Sequence, residues 1–469
     1  MTDADLLFTP VRALAAQLRS RSVTAVRLAE ASLARLESLG GRYNAVVTVM
    51  RESALAQARA ADAAIAAGRA RSPLAGIPFG VKDLLATRDA PTTWGAEPYR
   101  DQRFDHDATV VRRLLDAGAV LVAKLSMVEL AGGLGYDHAD ASFTGPGLTP
   151  WNVAFWSGGS SSGPGAAVAA GLVSFAIGSE TSGSILTPSA FCGVTGLRPT
   201  YGLVSRHGAM ALSWTLDKLG PMARCADDAG LVLAAIAGAD PLDDTATGRT
   251  FDWSGPRPPV GAWRIGVPKG CVEQVQPAVR ERFEASLAAL GEHVQVTRDV
   301  AWPDLPWGAA VGTIVGVEGA SAFRHLIESG DAARLRCAAD RVGGYASLMT
   351  PAVDYLAAMR ARRPMRAAMA DLYSRYDVIA TPTRATVAYP ADKGFADVYP
   401  GINGGPPVIA AGNLTGLPAL ALPNGFGDDG LPTSIAFMGA PFSERTLLEI
   451  GCALQSGSDA HLKRPPGTD

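Results

Sequence analysis

The amino-acid sequence predicts an α/β protein with a large aliphatic core. Strand patterns alternate with helical patterns: "LAGIPFGVKDLL" predicts a strand that runs into a loop, "ATVVRRLLDAGAVLVAKLS" a helix, a glycine turn and a strand, and "SFAIGSET" a buried strand. Hydrophobic residues make up 48% of the 469 positions, but aromatic residues only 7%. The core is therefore expected to consist mainly of alanine, valine, leucine and isoleucine.

Helical patterns surround these strands. Apolar residues recur at helical spacing over residues 11–38, and residues 53–70 predict a second helix that is closed by Gly68. The stretch "GPGAAVAAGLV" predicts a helix with Pro164 just inside its start, where a missing N–H is harmless. Because its side chains are small on every face, we expect this helix to pack closely at the centre of the fold.

The second half of the chain begins with a candidate linker at residues 238–262, which are rich in Gly, Pro and Asp. "WRIGVPKG" then predicts a strand, and helices are expected to follow it to about residue 375. After them, "YDVIATPTRAT" predicts a further buried strand, and "RTLLEIGCALQS" predicts a final helix. We expect one domain over residues 1–469. Its expected parts are N-terminal helices (1–70), a catalytic core (71–237), a helical insertion (263–375) and C-terminal strands and a helix that rejoin the sheet (376–469).

Composition and charge disfavour several functional classes. A net charge of −3 without a long basic run gives no electrostatic footprint for nucleic acid. The five cysteines form no CxxC pair, which argues against a disulfide framework or a cysteine zinc site, so we expect no cofactor and no metal. The N-terminus lacks a signal-peptide pattern, and the longest apolar stretch, Ala166 to Ile177, is too short to span a bilayer. We expect a cytoplasmic protein without a membrane or nucleic-acid partner.

Residues 156–193, "WSGGSSSGPGAAVAAGLVSFAIGSETSGSILTPSAFCG", are rich in serine and contain no histidine. A serine nucleophile needs a base within hydrogen-bond reach and donors for the oxyanion. Residues 159–163 formally match the G-x-S-x-G elbow of α/β-hydrolases, but so short a match arises easily in a Gly/Ser-rich run, and no clean strand precedes it. Histidines that could serve such an elbow do follow it, at His207, His293, His325 and His461.

Two other interpretations of the serine-rich stretch remain. A glycine loop before a helix could bind an anion, although this one lacks the lysine that ends a phosphate-binding P-loop. Alternatively, the base is a lysine whose pKa is lowered by burial. Lys82 fits this requirement because it lies among apolar residues in "GIPFGVKDLL".

Three motifs identify a family. "GIPFGVKD", "GGSSSGPGAAVAAGLV" and "GSETSGSILTPSAFCGVTGLRPTYGLVS", in this order, resemble the amidase signature family. "LDKLGPMARCADDAGLVLAAIAG", "YDVIATPT" and "NLTGLPALALPNGFGDDGLPTSIAFMG" extend the resemblance to most of the chain, with residues 240–370 the weakest. The resemblance implies a central twisted mixed β-sheet of about ten or eleven strands, covered on both faces by α-helices.

The resemblance also implies a catalytic triad. It places the nucleophile at Ser184, a bridging serine at Ser160 after a cis peptide bond, and the base at Lys82. In this scheme neutral Lys82 accepts the proton of Ser160 while Ser160 accepts that of Ser184. The oxyanion hole is expected to consist of backbone N–H groups in the turn formed by Thr181, Ser182, Gly183 and Ser184.

Four positions depart from the usual family pattern, one of them Ser162 at the fifth position of the motif "GGSSSG". Glu180 stands where an aspartate is common, and we expect a structural carboxylate that orients neighbouring hydroxyls. Ser182 replaces a glycine, and Leu186 replaces a frequent arginine, which weakens a glutaminase-like interpretation. The family positions also suggest a largely apolar substrate pocket; its candidate residues are Met127, Gly132, Gly133, Leu186, Met210 and Trp214.

These observations predict a hydrolase that cleaves amide or related C–N acyl bonds other than peptide bonds through a Ser184 acyl-enzyme. The expected partner is a small-molecule substrate: an aryl amide or anilide, a carbamate (urethane) or an activated ester. The protein is expected to be a monomer or a homodimer. One alternative is the glutaminase component of a tRNA-dependent amidotransferase. Another is a non-catalytic binding protein on the same scaffold, which the presence of all three triad residues disfavours.

Overall fold

The computed structural model describes residues 2–70, 72–257, 261–399, 402 and 407–468. Within these residues, eleven strands form one mixed sheet and sixteen α-helices pack around it. The strands are β1 (Val46–Val49), β2 (Pro78–Lys82), β3 (Val120–Leu125), β4 (Phe175–Glu180), β5 (Thr195–Arg198), β6 (Lys218–Ala223), β7 (Trp263–Pro268), β8 (Val294–Val300), β9 (Val378–Pro382), β10 (Ala419–Phe426) and β11 (Pro432–Gly439).

The helices precede, connect and follow these strands. They are α1 (Asp3–Phe8), α2 (Val11–Arg19), α3 (Ala25–Leu39), α4 (Arg51–Ala66), α5 (Thr109–Asp116), α6 (Ser162–Ala169), α7 (Leu186–Cys192), α8 (Ala226–Ile236), α9 (Pro277–Ala289), α10 (Trp307–Ala322), α11 (Arg324–Glu328), α12 (Ala338–Leu348), α13 (Ala352–Arg375), α14 (Phe395–Val398), α15 (Pro407–Thr415) and α16 (Glu444–Ser456).

The strand order across the sheet is β1-β3-β2-β4-β6-β5-β10-β11-β9-β7-β8. Strand β2 runs parallel to both β3 and β4, whereas β4 pairs with β6 in antiparallel fashion. Strands β2 to β6 are buried at every position, which requires cover on both faces of the sheet. The predicted α/β class and the sheet of ten or eleven strands are confirmed.

The small-residue helix α6 lies at the centre, as its sequence predicts. Every one of its eight residues is buried, and it contacts β2, β3, β4 and β6. A larger residue at Gly163 would collide with backbone, because an added Cβ would lie 2.4 Å from the nitrogen of Ser126. Close packing therefore holds the first turn of α6 against the middle of the sheet.

Two segments differ from the sequence-based expectation. Residues 11–38 form two helices rather than one, since Arg21 adopts a positive φ of 60° and the Thr24 side chain caps α3 by accepting the N–H of Arg27. Beyond β7 the chain is not purely helical, because β8 adds an edge strand parallel to β7. Strand β8, "VQVTRDV", is largely exposed and has no continuous apolar run, so its residues offer little indication of a strand.

The candidate linker at residues 238–262 packs against the rest of the fold where it is described. Asp240, Asp243 and Trp253 in this segment are buried. The Asp240 carboxylate accepts hydrogen bonds from the hydroxyls of Thr109 (2.5 Å) and Ser205 (2.6 Å). Strands from both sides of the segment lie in the same sheet.

None of the helices within the described residues combines the length and hydrophobicity that a membrane span requires. The longest, α13, has 24 residues and carries several arginines.

Candidate active site

The sheet topology brings Lys82 to the site. Lys82 is the last residue of β2, and β4 lies beside β2 in parallel, so the carboxyl ends of both strands meet at one edge. The Lys82 side chain is fully buried, and its Nζ lies 2.7 Å from Ser160 Oγ and 2.9 Å from Ser179 Oγ. Burial lowers the pKa of Lys82 to about 7, although the charges of Asp217 and Glu180 act in the opposite direction. A substantial neutral fraction, which a base requires, is therefore present near pH 7.

Ser160 lies in the glycine turn before α6. The Gly159–Ser160 peptide bond is cis, and Ser160 is fully buried. Position 159 has no room for a side chain, because an added Cβ would lie 2.7 Å from side-chain atoms of both Trp156 and Val128. The backbone N–H of Ser161 donates to the carbonyl of Ser184 at 3.2 Å, so this turn lies directly against the one that carries Ser184.

The turn from Thr181 to Ser184 connects β4 to α7. Ser184 is 7% exposed, and Gly183 adopts a positive φ of 91°, which favours glycine. Among the described residues, the backbone N–H groups of Ser182, Gly183 and Ser184 have no hydrogen-bond acceptor. Such N–H groups suit the role of oxyanion donors, because no protein acceptor competes for them with a bound carbonyl oxygen.

Glu180 fixes both ends of this turn. Its Oε2 accepts the N–H groups of Ile185 (2.9 Å) and Leu186 (3.0 Å), while its Oε1 accepts Arg198 (2.8 Å) and Asn413 (2.9 Å). Burial alone would raise the pKa of Glu180, but the Arg198 charge and these hydrogen bonds hold it below its usual value. Instead of orienting hydroxyls as expected, Glu180 binds backbone amides and a buried guanidinium, because its carboxylate faces the start of α7 and the end of β5.

Asp217 connects the same turn to the wall of a cavity. Its Oδ1 accepts the hydroxyl of Thr181 at 2.6 Å, and its Oδ2 accepts the N–H groups of Leu212 (2.8 Å) and Ser213 (2.9 Å). Burial raises the pKa of Asp217. The sequence analysis predicts no role for Asp217, Ser179 or Asn413. Asp217 lies in the motif "LDKLGP", which indicates the family resemblance but does not indicate a role for this residue.

Asp83, which follows Lys82 directly, is engaged elsewhere. Its carboxylate forms a buried ion pair with Lys124 at 2.9 Å and accepts the backbone N–H of Thr93 at 3.0 Å. Lys82 Nζ therefore contacts two hydroxyls and forms no ion pair among the described residues.

A cavity of about 240 Å³, here called the Trp214 cavity, reaches this site at Ser179 and Thr181. Its apolar lining consists of Leu84, Ala131, Ala209, Met210, Ala211, Leu212, Trp214, Leu219 and Leu242. Its polar lining consists of Ser179, Thr181, Arg206, His207, Asp217, Asp243 and Asp244.

Of the candidate pocket residues, Met210 and Trp214 line this cavity, whereas Met127, Gly132, Gly133 and Leu186 lie outside its lining. Leu186 is fully buried in a separate cluster with Val408 and Ile409. Gly133 lies behind the cavity wall, since a Cβ there would come within 2.2 Å of Leu212 Cδ1. Gly132 packs in the same way against Tyr136, and Met127 is fully buried against Gly95.

The Trp214 cavity is also less apolar than expected from the sequence, because charged residues that are distant along the chain converge on it. Three of these charged residues, Arg206, Asp217 and Asp243, have partners within the protein, whereas Asp244 is exposed to solvent. Arg206 donates to the carbonyl of Trp214 (2.7 Å) and the hydroxyl of Thr245 (2.8 Å), while Asp243 accepts the backbone N–H of Arg206 (2.7 Å). Within the described residues, no group of three or more metal-binding side chains is present.

Comparisons with known proteins agree on one family. The sequence model of the Amidase family matches residues 27–448. The A subunit of glutamyl-tRNA(Gln) amidotransferase from Moorella thermoacetica is 36% identical, covering 98% of this chain and 99% of that protein. The crystal structure of peptide amidase from Stenotrophomonas maltophilia superposes with a TM-score of 0.83 at 30% identity, covering 98% and 99% of the two chains. A chain from a vestigial protein complex that reveals the evolutionary origins of an s-triazine catabolic enzyme superposes with a TM-score of 0.90 at 28% identity. The match covers 97% of this chain and 100% of that chain.

Proposed function

We propose that this chain cleaves small neutral amides or carbamates through an acyl-enzyme on Ser184. The chain belongs to the amidase signature family and is a C–N hydrolase of that family. One observation carries the proposal: the fully buried Lys82 nitrogen lies 2.7 Å from the hydroxyl of Ser160. A lysine in this setting can accept a proton from a hydroxyl, because burial disfavours its charged form.

In the proposed acylation, Ser184 Oγ attacks the substrate carbonyl carbon. The Ser184 proton moves to Ser160 Oγ as the Ser160 proton moves to Lys82 Nζ. The proton then returns along the same route to the leaving nitrogen, the C–N bond breaks, and the amine departs. Water attacks the resulting ester by the same relay and releases the acid, which regenerates the Ser184 hydroxyl.

The negative charge that develops on the carbonyl oxygen needs donors. We assign this role to the N–H groups of the turn from Thr181 to Ser184, which Glu180 braces from the side of α7 and Asp217 from the side of the cavity. One such donor typically contributes about 3 kcal/mol of transition-state stabilisation.

The Trp214 cavity supports a small, uncharged substrate. Its volume of about 240 Å³ is below the roughly 300–1,000 Å³ that is typical of drug-sized ligands. Met210, Leu212 and Trp214 offer apolar contact, and Arg206, Asp217 and Asp243 already have protein partners. Aryl amides, anilides and carbamates, with activated esters as reactive analogues, fit this description better than charged substrates.

A substrate panel tests the proposal. Purified protein alone should hydrolyse a p-nitroanilide, a primary aryl amide or an aryl carbamate, and Ser184→Ala should lose this activity while keeping its fold. Wild-type rates in Ser184→Ala would overturn the assignment of the nucleophile. Complete inactivity of the wild-type protein toward all three classes would overturn the substrate proposal.

A second candidate is the glutaminase component of a tRNA-dependent amidotransferase, because the chain is 36% identical to the A subunit of a glutamyl-tRNA(Gln) amidotransferase. Leu186 argues against it, since the side chain at this position lies fully buried beside Val408 and Ile409 rather than offering a cation to a charged substrate. Glutamine in the same panel separates the two candidates. Glutamine hydrolysis that exceeds aryl amide hydrolysis, or that appears only with added partner subunits, would favour the second candidate.

A further inference from the structure

A second cavity of about 560 Å³ lies on the side of α13 and is here called the Arg366 cavity. It shares no lining residue with the Trp214 cavity. Its volume is within the roughly 300–1,000 Å³ range of small-molecule sites. The proposed reaction uses none of its residues.

The floor of the Arg366 cavity is apolar. Met369 and Leu417 are 1% and 3% exposed, and the ring of Phe442 lines the cavity beside them. Two aromatic side chains, Tyr201 and Tyr373, complete the apolar wall. A ligand that enters this cavity would therefore bury a hydrophobic body.

One charged side chain, the exposed Arg366, lies on the cavity lining. Among the described residues, no carboxylate lies within ion-pair distance of its guanidinium group. Asp371, the acid that follows on the same helix, pairs with Arg375 at 2.9 Å. Arg363, one helical turn before Arg366, likewise forms no ion pair in the described part of the chain, so two positive charges without ion-pair partners lie at this edge.

We propose that the Arg366 cavity is a second ligand site that binds a small amphipathic carboxylate. The carboxylate pairs with the guanidinium fork of Arg366, which matches its two oxygens, and an alkyl or aryl body covers Met369, Leu417 and Phe442. A neutral ligand of the same shape would gain no ion pair with Arg366, and a cationic one would be repelled.

Isothermal titration calorimetry of the full chain with 4-phenylbutanoate tests the proposal. Using the Ser184→Ala protein, which retains the Arg366 cavity, makes the result independent of whether the proposed hydrolysis occurs. We expect binding at one site, with Arg366→Gln weakening it about two- to fivefold because a solvent-exposed ion pair is lost. The matched alcohol, 4-phenylbutan-1-ol, should bind more weakly than the carboxylate and should be insensitive to Arg366→Gln.

Two tryptophan substitutions locate the ligand. Ala370 lines the cavity and is exposed, so Ala370→Trp should fill the cavity and abolish binding. Ala367, exposed on the same helix but outside the lining, provides the control, and Ala367→Trp should bind as the parent does. Circular dichroism and thermal unfolding should show both variants folded. Unchanged binding in Ala370→Trp, equal binding of the alcohol, or no binding of 4-phenylbutanoate would each overturn the proposal.

Discussion

Two buried lysines on neighbouring strands, Lys82 and Lys124, have different partners, and we expect them to have different roles. Lys82 ends β2 and Lys124 lies in β3, and the two strands are parallel with Val81 opposite Lys124. Both side chains are fully buried, and burial lowers both pKa values. Lys124 pairs with Asp83 at 2.9 Å and also donates to the hydroxyl of Thr92 at 2.7 Å, whereas Lys82 Nζ contacts only hydroxyls, those of Ser160 and Ser179, among the described residues.

The difference lies in the partner rather than in the depth of burial. A carboxylate partner stabilises the ammonium form of Lys124, while hydroxyl partners leave Lys82 able to lose its proton. A third buried lysine, Lys218, also has a pKa lowered to about 7, but it donates to the backbone carbonyl of Leu216. A low pKa alone therefore does not identify the proposed base, and neither does contact with a hydroxyl, since Lys124 also contacts that of Thr92. Lys82 combines contact with a hydroxyl that can relay a proton and the absence of a carboxylate partner among the described residues.

The largest expected effect comes from removing each lysine in turn. Lys82→Met should lower kcat/KM by roughly 10³-fold or more, since the proposed relay loses its acceptor. Its stability should change little or increase, because a buried cation is replaced by an apolar group of similar length. Lys124→Met should show the reverse: a loss of about 3–5 kcal/mol of stability, because Asp83 is left buried and unpaired, with much smaller change in kcat/KM.

Urea unfolding and amide hydrolysis, measured on both variants, decide between the two roles. Equal losses of activity in the two variants would remove the distinction drawn between these lysines.

Next in size is the effect of the bridging serine. Ser160→Ala should lower kcat by roughly 10²- to 10⁴-fold, because Lys82 then lacks the hydroxyl at 2.7 Å through which it is proposed to act. Ser179→Ala is the matched control, since Ser179 also contacts Lys82 but is not part of the proposed relay. The Ser179 variant should retain far more activity, and a reversed order of the two would assign the relay to Ser179.

Much of this arrangement could be predicted from the sequence, but part of it depends on long-range packing. The apolar neighbours of Lys82 and the glycines around Ser160 and Ser184 are local signals, and so is the alternation of strands and helices. Glu180 has local partners in Ile185 and Leu186, but its partner Asn413 is more than 200 residues away in sequence. Leu186 packs against Val408 and Ile409, which are also more than 200 residues away in sequence. Its burial outside the Trp214 cavity therefore could not be deduced from the residues next to it in the sequence.

A smaller effect is expected from the brace behind the oxyanion turn. Glu180→Gln weakens the ion pair with Arg198 and loosens the start of α7, so kcat should fall roughly ten- to a hundredfold. Glu444→Gln is a matched control, because Glu444 is also buried and accepts a backbone N–H, that of Thr200. We expect the control to reduce the free energy of unfolding without lowering kcat. An unchanged kcat in Glu180→Gln would show that the turn does not need this brace.

The smallest effect concerns the cavity mouth. Trp214 is 46% exposed, so Trp214→Ala should leave stability unchanged and raise KM for an aryl amide about tenfold, with kcat nearly constant. Tyr345, 47% exposed on α12 and outside the cavity lining, is the control, and Tyr345→Ala should alter neither parameter. Steady-state kinetics with an aryl and a short aliphatic amide should show the loss for the aryl substrate alone. A KM that is unaffected by Trp214→Ala would place the aryl group elsewhere.

The protonation state of Lys82 is the most direct test of its proposed role as the base. Lysine side chains labelled with ¹³C at Cε can be titrated by NMR, with Lys82 and Lys124 assigned by loss of their signals in Lys82→Met and Lys124→Met. We expect Lys82 to titrate with a pKa of about 7, so that it is protonated in acid and neutral above this pH, while Lys124 retains its proton to higher pH beside Asp83. A Lys82 signal that remains that of an ammonium group up to pH 9 would contradict the assignment of Lys82 as the base.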